Sequence, residues 1–338
     1  MRSISLGVLA GVLIGGAAWA ESTAVGTAGA QELRIPVGAR STALSGSNLG
    51  SVGGVEAMFW NPGGLAQLEG SQAQFGSFKY WADIEMMSFA VAHTFEGKGT
   101  IGIVARVLNL GDLYVTTEDM PDGTGEITQP RFSIVTFSWA KPMTDRVSLG
   151  AGLNLLSEKI KDMSAHGYGL DFGVQVVTPM DGLAFGVALK NFGPDMSYDG
   201  YGGERRFIAE DAQSGSDHSV AKPIYQQFEL PSSFQFGVTY TALEDPMNYL
   251  GFHGTYQSNH HSTDEYRFGA EYAFRNQLFA RAGYVTAADV GDADYLYTWA
   301  TGLGFKVDLG ESNLFIDWSY NPNDHFDASQ WYTLRFDF

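Results

Sequence analysis

One pattern limits this chain more than any other: alternation of bulky apolar residues with glycines or charged residues, repeated along most of its length. From His166 to Thr178, Tyr168, Leu170, Phe172, Val174 and Val176 fall on one parity. Gly167, Gly169, Asp171, Gly173 and Gln175 fall on the other. Val147, Leu149, Ala151, Leu153 and Leu155 alternate in the same way with Ser148, Gly150, Gly152 and Asn154. Further on, Tyr266, Phe268, Ala270, Tyr272 and Phe274 face away from Glu265, Arg267, Gly269, Glu271 and Arg275. A period of two is that of a β-strand, whose successive side chains point to opposite faces. The outward face of a soluble sandwich is usually Thr, Ser and Lys, not a row of glycines. Here the greasy face is read as touching lipid, and the glycine face as enclosing a crowded interior. The segments run to about ten residues, the length of a tilted membrane strand and more than a typical globular one.

Fourteen such segments are counted, centred near Phe75, Phe89, Ile103, Ile134, Leu153, Phe172, Phe185, Phe236, Phe252, Phe268, Ala282, Leu303, Ile316 and Leu334. An even number lets a sheet close with both ends on one side. The connections test the count independently, because periplasmic turns should be short and outer loops long. Glu96 to Gly99, Lys141 to Arg146, Pro179 to Gly182, Leu243 to Met247, Arg275 to Gln277 and Asp308 to Ser312 read as tight turns. Gly111 to Gln129, Ser157 to Ala165, Asn191 to Ser232, Gln257 to Thr263, Thr286 to Asp294 and Asn321 to Ala328 read as outer loops. Only the connection near Trp81 to Asp83 breaks the alternation by being short. The expected fold is all-β: a transmembrane antiparallel β-barrel of about 14 strands with an N-terminal plug segment in the lumen.

Three parts are expected: 1–20, 21–70 and 71–338. Arg2, the apolar run from Ile4 to Trp19 and the small-x-small triplet Ala18-Trp19-Ala20 form a secretory signal pattern, with cleavage expected after Ala20. The outer membrane of a Gram-negative-type cell is the expected destination. The chain holds 42 Gly, 23 Phe, 16 Tyr, 7 Trp and no Cys. Aromatics suit the two membrane interfaces, and the lack of thiols fits a chain crossing an oxidising periplasm unfolded. The formal charge of −18 argues against a nucleic-acid partner. Its acids crowd into connections, notably 204–217 and 289–294.

Residues 21–70 lack the strand pattern. They are too many for a tether and too few for a strong core of their own, and a segment seated inside the barrel answers both points. The chain ends Trp331-Tyr332-Thr333-Leu334-Arg335-Phe336-Asp337-Phe338, alternating to the last residue. Tyr332, Phe336 and Phe338 are read as girdle residues of the closing strand and as a signal for barrel-assembly machinery.

Two runs in the plug carry a family likeness. Gly38-Ala39-Arg40-Ser41-Thr42-Ala43-Leu44-Ser45-Gly46 resembles the "GARaaAmGGa" run of PorV/PorQ-type proteins, and Phe59-Trp60-Asn61-Pro62-Gly63-Gly64-Leu65-Ala66 resembles their "yWNPAGLA" run. Gly64 and Ser45 depart mildly from it. Leu189 to Gly193, Leu230 to Phe234 and Arg281 to Tyr284 are similar to the shorter runs "vkNlG", "LPssfr" and "lRaGY". The resemblance implies a fourteen-stranded FadL-like barrel with a luminal plug. It also implies a role in type IX secretion, in which such barrels carry export cargo or hold attachment proteins at the surface. Other members of the group look like transporters of hydrophobic solutes.

Arg40, Phe59, Trp60, Asn61 and Pro62 are the plug residues singled out. Arg40 is expected to pair with a luminal carboxylate such as Asp171 or Glu271, either as part of a gate or as plug packing, because a charge in a low-dielectric lumen needs a partner. Arg106, Glu158, Asp171, Lys190, Glu265, Arg267, Glu271, Arg281, Lys306, Asp317 and Arg335 fall on the luminal parity. Their mixed sign suits a salt-bridged, plugged interior better than an ion pore, which needs a ring of one sign. His253, His260, His261 and Asp264 show no zinc-ligand spacing and read as solvated histidines; Asp289, Asp292 and Asp294 lack a calcium-loop pattern. No nucleophile and base appear in a catalytic arrangement, so neither an enzyme nor a cofactor is expected. Expected partners are outer-membrane lipid and assembly machinery. Beyond these, two readings stay open: binding of secretion cargo or attachment proteins, or passage of a hydrophobic small molecule.

Overall fold

The computed structural model describes residues 26–80, 84–116, 119–202, 204–207, 219–221, 223–287, 298–323 and 326–338. The expected signal segment 1–20, most of the acidic stretch 204–217 and the stretch 289–294 lie outside the described residues.

The chain is a closed antiparallel barrel of 14 strands. They are β1 (Ser71–Lys79), β2 (Glu85–Phe95), β3 (Gly99–Asn109), β4 (Arg131–Pro142), β5 (Val147–Ile160), β6 (Met163–Val177) and β7 (Leu183–Phe192). The second half comprises β8 (Ser233–Glu244), β9 (Asn248–Asn259), β10 (Glu265–Phe274), β11 (Leu278–Ala287), β12 (Trp299–Asp308), β13 (Asn313–Asn321) and β14 (Ser329–Asp337). Each strand pairs with its sequence neighbours, and β1 pairs with β14 in the register Phe75 to Leu334, leaving no open edge. Phe338 and Ser71 exchange backbone hydrogen bonds of 2.9 and 2.8 Å at the foot of that seam. All fourteen expected centres fall inside strands.

Outward residues are the apolar parity. Phe89, Ile101, Phe172, Phe268, Leu303 and Leu334 are each about half exposed, whereas Gln74, Arg106, Asn154, Asp171, Glu271 and Asp317 point inward and are buried. An aqueous solvent would make this inversion very costly, and a lipid solvent explains it. Tyr332, Phe336 and Phe338 lie on the outward face at 47, 37 and 55% exposure.

One connection departs from expectation. Ser157 to Ala165 is a continuation of β5 and β6, joined by the tight turn Lys161-Asp162 with Lys161 at φ 51°. Lys159, Ile160, Met163 and Ser164 keep their ladder partners, so the hairpin projects past the rim where a loop was expected.

The described part of the N-terminal region lies inside the barrel. It comprises two short helices, α1 (Ala39–Ala43) and α2 (Ala57–Trp60), and 3-10 turns at Gln31–Arg34, Gly54–Glu56 and Pro62–Gln67. Gly26 N–H donates to His261 O, in the β9–β10 connection at the outer end. Gly70 lies beside Phe338, at the end carrying the short turns. The segment thus enters at the end carrying the long connections, packs through the other half of the barrel and leaves at the end carrying the short turns.

Candidate functional site

The plug is shaped by a few residues. Gly38 has φ 86°, and a Cβ there would sit 2.2 Å from the Glu56 carboxylate, so glycine is needed both for the turn and for the approach. Ser41 Oγ donates to Glu56 Oε2 at 2.6 Å. Burial raises the Glu56 pKa, and the Ser41 hydrogen bond opposes that shift. Asn61 caps the turn that Pro62 begins: its Oδ1 accepts from Gly63 N–H at 3.1 Å. Its Nδ2 donates to Leu49 O at 3.0 Å and to Val174 O on β6 at 3.1 Å, tying two plug segments to the wall. Trp60 Nε1 donates to Val37 O at 2.9 Å, and Trp331 Nε1 to Pro36 O at 3.2 Å.

Glycines of the wall set how closely the plug lies. A Cβ at Gly150 would meet Pro62 O at 2.2 Å, and one at Gly186 would meet Leu49 O at 2.3 Å. Backbone oxygens cannot step aside as a flexible side chain can. The glycine parity of the strands is therefore a docking surface for the plug's main chain.

A chain of charges holds the lower half. Arg40 Nε and Nη2 donate to Glu271 Oε1 and Oε2 at 3.1 and 2.8 Å, a bidentate fork. Arg281 Nε donates to Glu271 Oε1 at 2.8 Å, and its Nη1 to Asp317 Oδ1 at 2.5 Å. Plug, β10, β11 and β13 are thus joined through two carboxylates and two guanidinium groups. The neighbouring Glu271 carboxylate raises the Arg40 pKa further above its ordinary value.

The other luminal charges are arranged differently. Asp171, the alternative partner for Arg40, instead accepts from Asn154 Nδ2 at 3.0 Å and from Asn191 N–H at 2.7 Å. Lys190 Nζ stands 3.8 Å from the centroid of Phe59, and the Arg106 guanidinium 5.1 Å from the same ring. These two buried cations use an aromatic face where a carboxylate partner was expected. Arg267 pairs with Glu265 at 2.5 Å, and Arg34 of the plug reaches Glu265 at 3.4 Å. Arg335 lies over Phe315 at 3.8 Å, near the periplasmic end. Glu158 meets no cation among the described residues; it accepts from Tyr198 Oη and faces Glu32 of the plug. Burial, then the charge of Glu158, pushes the Glu32 pKa up to about 8. Neither Glu32 nor Tyr198 stands out in the sequence, because neither lies on an alternating strand.

Above this plug, on the outer side, lies a cavity of about 890 Å³. Ile35, Phe59, Trp60, Leu108, Phe132 and Trp331 supply apolar wall, and Lys190, Gln235, Gln257 and Arg267 supply separate polar points. Both plug aromatics named from the sequence form its floor. The arrangement combines apolar burial with a few orienting polar groups, as small-molecule sites do.

No protein-family model matches the chain, and no curated protein matches it. Among solved structures, the CymD monoaromatic hydrocarbon channel is similar over 89% of this chain and 97% of that one, at 13% identity and TM-score 0.55. The Pseudomonas putida toluene transporter TodX is similar over 89% of this chain and 96% of that one, also at 13% identity and TM-score 0.55. Both are FadL-like outer-membrane channels, and at this identity the likeness is one of fold.

Proposed function

We propose that this protein is an outer-membrane channel for hydrophobic small molecules, which are taken from the outside into the cavity above the plug. The observation that carries the reading is the cavity itself: a largely apolar chamber of about 890 Å³, bordered by residues of the long connections and by Phe59 and Trp60. Its volume lies within the range of about 300–1,000 Å³ typical of ligand sites. The floor beneath it is closed by the docked plug, so passage needs a rearrangement and not an open pore. The similarity in fold to hydrocarbon channels supports the same reading. The chamber is several times larger than a monoaromatic molecule, so compact apolar solutes and longer acyl chains both fit within it.

The direct test is binding and uptake. Purified barrel in micelles is titrated with toluene-class and acyl-chain ligands while tryptophan fluorescence is followed, because Trp60 and Trp331 line the chamber. Cells with and without the gene are then compared for uptake. No saturable signal with either class, together with unchanged uptake, would end this reading.

The second reading, a barrel that binds export cargo or attachment proteins in a type IX-like system, is supported by the plug runs around Arg40 and Asn61-Pro62 and by the long connection between β7 and β8. Its test is copurification of a secreted or surface-attached protein from native membranes. The fold comparisons add support to the channel reading and none to this one.

A further inference from the structure

One cluster of side chains belongs to neither the clamp nor the cavity wall. Glu229 comes from the long β7–β8 connection, and His260 and His261 from the β9–β10 connection. Each offers one ligand atom, and the three atoms lie within 4.8 Å of one another. Glu229 Oε2 is 3.2 Å from His261 Nε2 and 3.7 Å from His260 Nε2. Two ligand atoms bound to a tetrahedral zinc at about 2.0–2.1 Å are about 3.3 Å apart, so both distances are close to the edge of such a coordination sphere. The two imidazoles meet edge to face, centroids 4.5 Å apart at 79°.

The surrounding structure holds these residues in place. His260 N–H donates to Ser232 O at 3.1 Å, fixing one loop to the other. Gly26 N–H donates to His261 O at 3.2 Å, and Gly29 N–H to Glu229 O at 3.1 Å, so the N-terminal segment bonds to the backbone of two of the three ligand residues. Thr27 Oγ1 lies 3.4 Å from His261 Nδ1. A partner on the second ring nitrogen is what sets the tautomer of a metal-binding histidine, leaving Nε2 as the donor to the ion. The His261 side chain is 4% exposed, while those of His260 and Glu229 are 62 and 58% exposed. The cluster therefore has a buried inner wall at His261 and an open outer side at His260 and Glu229. As plain surface ion pairs these contacts would contribute little, and two adjacent imidazolium rings would repel each other. Neutral imidazoles around a dication avoid that repulsion.

We propose that Glu229, His260 and His261 form a divalent transition-metal site of the zinc class. The ion joins the two outer connections and, through the bonds of Gly26, Thr27 and Gly29, holds the N-terminal segment at the rim of the cavity. Sequence spacing gives no sign of it, because the carboxylate comes from a different loop. The site does not depend on what passes through the barrel.

The experiment titrates zinc into the metal-free barrel in micelles, by calorimetry and by competition with a chromogenic chelator. Folding of each variant is checked by heat-modifiable gel mobility. One zinc per chain is expected, weakened at least tenfold by Glu229→Gln and by His261→Ala. Zinc should also protect the segment around Gly26–Ala30 from protease in the wild type and not in E229Q. His166→Ala, at an exposed histidine of β6, should leave affinity unchanged. No stoichiometric binding, or equal affinity in E229Q, H261A and the wild type, overturns the proposal, as does a loss of the same size in folded H166A.

Discussion

Arg40 of the plug and Glu271 of β10 form a two-point ion pair, at 3.1 and 2.8 Å, and Arg281 takes the same carboxylate from the far side. Glu271 is thus the shared anion of two guanidinium groups, one carried by the plug and one by the wall. Replacing it with Gln leaves Arg40 without a carboxylate partner in this clamp while Arg281 keeps Asp317. Removing one partner of such a buried pair costs about 3 kcal/mol. The expected outcome for Glu271→Gln is a lower unfolding midpoint in urea and more frequent opening in planar-bilayer recordings. The double variant Arg40→Ala/Glu271→Gln should be less than additive, since one interaction is removed twice.

Gly150 sits where a methyl group would be 2.2 Å from Pro62 O. Gly150→Ala is expected to loosen the plug, with a cost of about 1–3 kcal/mol as in overpacked cores. Gly254, where an added Cβ meets only one Phe268 ring carbon at 3.9 Å, serves as the control and should accept alanine without effect. Limited proteolysis of the plug, with and without each substitution, measures the difference.

Docking of the N-terminal segment should depend on pH through Glu32. Its pKa in the docked state is raised to about 8 from 4.5, by burial and then by Glu158. Below the lower value the carboxyl is protonated whether docked or released. Between the two values the released form loses its proton and the docked form keeps it, so docking weakens as pH rises; above about 8 the loss is complete. The protection factors of residues 27–36, with the intrinsic exchange rate at each pH divided out, should therefore be larger at pH 5 than at pH 8. Glu32→Gln should flatten that dependence.

Phe132 borders the cavity from β4. Phe132→Gln places an amide in the apolar wall and is expected to weaken binding of a hydrophobic ligand about tenfold, in line with about 1.4 kcal/mol of lost apolar burial. The fluorescence titration checks it, with barrel folding unchanged on gels.

The strands were legible because their signal is local. Each turn of the pleat writes one residue to the lipid and the next to the lumen, so Phe172 and Asp171 announce opposite faces by adjacency alone. The plug's placement has no such periodicity. Arg40 had two candidate carboxylates, and only the path of the chain through the lumen brings Glu271 to it while Asp171 turns to Asn154 and Asn191. Nor does local pattern report that Lys190 and Arg106 rest on Phe59, or that Glu32 faces Glu158. These contacts join segments far apart in the chain, and no single window of residues holds both halves. The hairpin at Lys161-Asp162 was missed for a smaller reason: polar strand residues above a membrane rim look like a loop when burial is the guide.

Because Gly26 lies among the long connections and Phe338 beside the short turns, the two extremities of the described chain open at opposite ends of the barrel, which in the proposed outer-membrane setting face different compartments. An epitope joined ahead of Gly26 should be reachable by antibody on intact cells, and one joined after Phe338 only once the envelope is broken.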